Sequence, residues 1–251
     1  MPDLTNLTPD VYDLGRTFAS GLATIFGLKL YGIYLYGAAV FHDGGPGGDF
    51  DAHVILTGAP SATEREGIAD LYCRLAVAFP PLGTDIDAYF ILLAAAHEAV
   101  PPHHLLDPAI CDQAWPLHCA HVRAGRVVTL YGPDPVDIFP QPEWPAIVLA
   151  LDHELDFVRA SLEYPAYCIL NLCRILYSFR TGEVVVSKRF SGRWAADLFP
   201  EWAPVIAAAQ RYYDGAAVEA DVTIMTAEMD RFLACIEDQI RAAREDSRRF
   251  G

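Results

Sequence analysis

Basic residues are in short supply: 18 Lys and Arg stand against 33 Asp and Glu, a formal net charge of −15. Contacts to nucleic-acid phosphates rely on Lys and Arg, so the balance argues against binding nucleic acid through the general surface. It favours a small cationic molecule instead, although an acidic surface is also an ordinary solubility device. No apolar run is long enough to span a bilayer. A disulfide framework is missing too. Cys73, Cys111, Cys119, Cys168, Cys173 and Cys235 are scattered without a repeating spacing, and no basic leader with an apolar core precedes them. The expectation is a cytoplasmic protein with reduced thiols, several of them acting as small buried hydrophobes. Zinc spacing is lacking as well. His97, His103, His104, Cys111, His118, Cys119 and His121 fall close together, but their separations do not match the usual paired-ligand patterns and prolines interrupt them.

What the chain does have is enough apolar matter for a substantial core, with 251 residues and 53% hydrophobic composition. The linker-like Pro140-Gln141-Pro142-Glu143 divides it, giving expected domains of 1–139 and 140–251. In the first domain, Val11, Leu14, Phe18, Leu22 and Ile25 have the spacing of an amphipathic helix ending at Gly27. A strand from about Leu28 to Tyr36 follows. A second helix is expected from Ser61 to Phe79, capped by Ser61 or Thr63, with Ile68, Leu71, Leu75 and Val77 turned inward. Beyond residue 140, helical periodicity recurs over 144–162, 167–181, 194–197, 201–213 and 217–244, which implies a helical bundle. The fold class is therefore α+β, a mixed sheet with flanking helices followed by an all-α domain.

The most informative stretch runs from Tyr31 to Leu56. An apolar run leads to Gly37, a glycine-rich turn spans Gly44 to Gly48, and Asp49-Phe50-Asp51 opens a second apolar run. Strand alternation puts Asp49 and Asp51 on one face. Two carboxylates at that spacing repel unless a cation is shared, and oxygen ligands of this kind suit Mg²⁺ held together with phosphates. A solvated hairpin edge would use the same residues. Asp87, set in the apolar run 85–93, supplies a third acid that is costly there unless paired or ligated. His53 shares the face of Asp49 and Asp51, either as a structural histidine or as a group reaching the metal or the pyrophosphate.

A glycine-rich turn after one strand, Asp-x-Asp on the next and an acid on a later one resemble the nucleotidyltransferase superfamily. More narrowly, the second half resembles the aminoglycoside adenylyltransferases that modify streptomycin and spectinomycin. That likeness is carried by residues 168–177, Thr181-Gly182-Glu183, Lys188, Trp194-Ala195, Leu198-Phe199-Pro200 and residues 209–215. The resemblance implies ATP and Mg²⁺, with Asp49, Asp51 and Asp87 as metal-binding and catalytic acids. It implies nucleotide contacts by Gly37, Ala38, Gly48, Arg174, Lys188 and Tyr213, so that the second domain belongs to the active site.

Several positions depart from the family pattern. Ala38 and Gly48 stand where the family has Ser, which removes two hydroxyl donors and leaves backbone N–H groups at the turn. Asp87 stands for the family's Glu, and a Trp ahead of the helix near Tyr167 is missing. From the residues alone, Arg174 in an apolar helix face needs an anionic partner, which a structural salt bridge would supply; the resemblance implies the triphosphate instead. Asp152, Glu154, Asp156 and Glu163 are either acceptor contacts or a solvated acidic face. The implied activity is transfer of AMP to a hydroxyl of a small, cationic, aminoglycoside-like acceptor, with no nucleic-acid or membrane partner. A catalytically weak nucleotide-binding sensor and an enzyme acting on a protein or tRNA are the alternatives.

Overall fold

The computed structural model describes residues 7–41 and 50–246. Gly48 and Asp49 lie outside the described residues. Two compact units meet along the sequence at Pro142 and Glu143. In the first, helix α1 (Pro9–Phe26) precedes strands β1 (Leu30–Tyr36) and β2 (Phe50–Leu56). Helix α2 (Ala62–Ala78), strand β3 (Ile86–Leu92), the short helix α3 (Leu93–Ala96), helix α4 (Trp115–Arg123) and strand β4 (Val128–Tyr131) follow. The sheet order is β3-β2-β1-β4. β1 runs antiparallel to β2 and β4, whereas β2 and β3 are parallel. A parallel pair cannot be joined by a tight hairpin. α2 makes that crossover.

Alternation decides what each sheet face holds. Phe50, Ala52, Val54 and Leu56 of β2, with Ile33 and Leu35 of β1 and Phe90 of β3, share a buried cluster with Leu14, Phe18 and Leu22 of α1 and Ile68, Leu71 and Leu75 of α2. This is the amphipathic face expected for α1. Ser61 is the α2 cap: its hydroxyl accepts from Glu64 N–H at 3.3 Å, and Glu64 Oε2 accepts from Ser61 N–H at 2.6 Å. Val77 does not face inward as its spacing suggested. It is 83% exposed, because the buried stripe of α2 ends at Leu75 one turn before the helix does.

On the opposite sheet face, Tyr34, Ile55 and Ile91 pack with Trp115, Cys119 and Val122 of α4 and with Ile138 and Phe139. Trp115 anchors α4 there, its indole N–H donating to the Glu98 carbonyl at 3.0 Å. The segment that precedes α4 was not readable as structure from its prolines and histidines. It is tied down by its own contacts: Tyr89 O–H lies 3.0 Å from the Pro102 carbonyl and Leu105 N–H donates to the Phe90 carbonyl at 2.8 Å.

The second unit is helical: α5 (Trp144–Ala160), α6 (Pro165–Thr181), α7 (Lys188–Leu198), α8 (Ala203–Tyr213) and α9 (Glu219–Asp246). α6 is buried along most of its length, including Cys168, Ile169, Leu170, Asn171, Leu172 and Cys173. It ends at Gly182, whose φ of 76° is the left-handed conformation that closes a helix at little cost to glycine. α7 begins earlier than its apolar periodicity indicated. Ser187 caps it by accepting from Phe190 N–H at 3.0 Å, which places Lys188 in the first turn. All six cysteines are free thiols. Among the described residues no helix is long and apolar enough to cross a membrane.

Candidate nucleotide site

β2 carries the first group of expected site residues. The parallel register sets Asp51 directly beside Asp87, and the antiparallel register sets Tyr36 on its other side. Side chains of directly paired residues share a face, so both carboxylates project from the α4 side of the sheet. Asp51 is half-buried and Asp87 exposed. β1 then turns at Gly37 into a single 3-10 turn, Gly37–Val40. Gly37 has φ of +75°, and a Cβ built there would lie 1.8 Å from Asp51 Oδ2. Glycine is thus required twice, for its backbone angle and for the Asp51 carboxylate above it. Ala38 occupies the same turn without a hydroxyl.

Tyr36 registers this acidity. Burial first, then the nearby carboxylates of Asp51, Asp112 and Asp87, hold its phenol well above the ordinary range. Its ring stacks on His53 at 4.2 Å with an interplanar angle of 6°. His53 is fully buried, and burial, with the neighbouring His118 adding to it, pushes its imidazole down to about 4. It does not reach out as a solvated group. His118 Nδ1 lies 2.9 Å from Asp112 Oδ2, while His53 Nε2 is 3.5 Å from the same oxygen. The longer contact is an ion-pair approach at the outer edge of hydrogen-bond range, and among the described residues His53 Nδ1 has no hydrogen-bond partner. Burial alone would raise the Asp112 carboxyl. The two imidazoles outweigh it and hold the group well below the usual carboxylate range.

The second unit gathers the other expected residues into one cluster. Lys188 Nζ sits 4.4 Å from the Tyr167 ring centroid and 5.7 Å from that of Tyr213, a cation over two aromatic faces. Arg174 finds its anionic partner in Glu154, at 3.2 Å. Glu154 also accepts from Asn171 Nδ2 at 2.8 Å, and Asn171 Nδ2 lies 3.2 Å from the Tyr167 hydroxyl. Glu154, Asn171 and Tyr167 were not singled out as a set by the sequence, since they fall on two helices and Glu154 and Asn171 are 17 residues apart. Of the remaining acids, Asp152 pairs with Arg244 and Asp156 with Arg159. Those two are surface ion pairs.

A mixed four-stranded sheet with acids on adjacent strands, a glycine turn beneath one of them and an all-helical second unit make this an α+β protein. More narrowly, residues 142–239 match the C-terminal domain of the aminoglycoside adenylyltransferases, which bears out the resemblance carried by the helical half. Among solved structures, the chain is similar to the "spectinomycin adenyltransferase AAD(9) from Enterococcus faecialis with ATP and spectinomycin". The TM-score is 0.71 over 92% of this chain and 99% of that one, at 14% sequence identity, a likeness of fold. No curated protein matches the chain at a significant level.

Proposed function

We propose that this chain is a Mg²⁺-dependent nucleotidyltransferase that moves AMP from ATP onto a hydroxyl of a small, cationic, aminoglycoside-like acceptor. The pairing of Asp51 with Asp87, with the Asp51 carboxylate seated over Gly37, is the observation that carries the proposal. The family match of the helical unit supports it. The similar structure, described with ATP and spectinomycin, supports ATP as donor and an acceptor of that class.

Asp51 and Asp87, with Asp49, would hold Mg²⁺, and the two described acids fit: their carboxylates stand on adjacent strands, and oxygen donors suit a hard cation. When bound, the metal neutralises charge on the triphosphate. Asp87, being exposed, is open to the acceptor and takes the proton of its hydroxyl. The acceptor oxygen bonds to the α-phosphorus as the bond to the bridging oxygen breaks, and pyrophosphate leaves. The backbone N–H groups of the turn at Ala38 are left to meet phosphate there. Arg174 and Lys188 supply positive charge for the triphosphate, and Tyr213 an aromatic face beside Lys188.

Pyrophosphate release from ATP with Mg²⁺, measured across a panel of aminoglycosides and spectinomycin, tests this. Acceptor-dependent release is expected, falling at least about a hundredfold in Asp51→Asn and in Asp49→Asn. Undiminished turnover in either variant refutes the assignment. The missing hydroxyls at Ala38 and Gly48 favour one second reading, a nucleotide-binding relative with little catalysis. Calorimetric ATP binding without release for any acceptor would select it.

A further inference from the structure

We propose that His53, Asp112 and His118 form a site for a divalent transition metal, of which Zn²⁺ is the natural occupant, with ligands other than the carboxylates that would serve Mg²⁺. One donor atom from each of the three lies within 4.8 Å of the other two. Asp112 Oδ2 is central, 2.9 Å from His118 Nδ1 and 3.5 Å from His53 Nε2. Ligand atoms at about 2.0–2.1 Å from a tetrahedral zinc ion stand roughly 3.3 Å apart, so the two separations from Asp112 need little adjustment.

The independent observation is His53. Its side chain is fully buried, yet among the described residues Nδ1 has no hydrogen-bond partner and Nε2 has only the long 3.5 Å contact to Asp112. A buried polar group in that condition calls for an explanation, and a ligand supplies one. Its ring is fixed by the stack on Tyr36 and by the edge contact to Trp115 at 5.3 Å, which leaves Nε2 directed to Asp112. Two imidazoles and one carboxylate suit zinc and its neighbours and not Mg²⁺, which prefers oxygen. Three protein ligands leave a fourth position, reached from the side of His118, whose side chain is 25% exposed. To bind, the neutral His118 carries its proton on Nε2 and offers the Nδ1 lone pair. The metal would pin α4 and the segment before it to β2, with no sequence spacing to announce it because one ligand comes from the sheet.

The test is Co²⁺ titration of the whole chain after chelator treatment, read by visible absorption, with Zn²⁺ as competitor. One equivalent with an intense four- or five-coordinate spectrum is expected, displaced by Zn²⁺ and retained in Asp51→Asn. Asp112→Asn, close in shape, and His118→Gln, at the accessible edge, should each weaken binding beyond the tenfold to hundredfold that loss of an outer partner costs. Zn²⁺ should raise the melting temperature of the unmodified chain and not of these variants. No Co²⁺ band in the unmodified chain overturns the proposal, as does a band that survives both substitutions or vanishes with Asp51→Asn alone.

Discussion

Replacing Gly37 by alanine asks one methyl group to occupy space already held by a carboxylate. The new Cβ would lie 1.8 Å from Asp51 Oδ2 and 2.7 Å from its Cγ. Ordinary van der Waals contact begins near 3.4 Å, so the oxygen must retreat by about 1.6 Å. The φ of +75° adds a backbone cost of roughly 1–2 kcal/mol for a residue with a side chain. Misplacement by 1 Å can cost about a hundredfold in rate. Gly37→Ala is therefore expected to lose about 1–2 kcal/mol in urea unfolding and at least a hundredfold in kcat for pyrophosphate release. Circular dichroism of the variant at the assay temperature separates the two effects, since a loss of that size leaves most molecules folded. A folded variant whose kcat stays within threefold of the parent would refute the argument that the turn positions Asp51.

Ser61→Ala removes the α2 capping box and should cost about 1 kcal/mol by urea denaturation, with no change in kcat. Glu64, held by Lys29 and by the Ser61 backbone and hydroxyl, has its carboxyl lowered from 4.5 to about 2. Because its folded value is depressed, its stabilisation is complete above pH 4.5 and lost as pH falls toward 2. Melting temperature followed through that window should fall less steeply in Glu64→Gln than in the parent. Arg174→Ala breaks the contact to Glu154 and removes the charge proposed to meet the triphosphate, so on that proposal KM for ATP should rise about tenfold or more. An unchanged KM would leave Arg174 as a purely structural partner of Glu154.

The sequence made some of this legible because the determinants were local. The α1 stripe of Leu14, Phe18 and Leu22 is buried as its spacing requires, and the Ser61–Glu64 cap is visible three residues apart. The parallel neighbours Asp51 and Asp87 could be suspected from two apolar runs interrupted by acids, but their register is a property of the folded sheet. Helix α4 was hidden by its surroundings, since Pro116 and the flanking histidines mask a short helix whose start is fixed by Trp115 packing. Asp112 and His118 meet His53 across 59 and 65 positions, and no local pattern encodes a meeting of that range. Arg174 announced a need for an anion without naming it. Glu154 lies one helix away, and only packing of α5 on α6 selects it over Asp152 or Asp156.

The two faces of β2 have consequences for how the chain avoids misfolding. Phe50, Ala52, Val54 and Leu56 alternate with Asp51, His53 and Ile55. A slip of one residue against β1 or β3 would drive an aspartate and a histidine into the space beneath α1 and α2 and turn Phe50 and Val54 outward. The penalty falls on the whole core at once, so a misaligned molecule has no stable half-correct state in which to linger. The strand that presents the acids therefore proofreads its own alignment, and molecules that complete folding present Asp51 beside Asp87 as a matter of course.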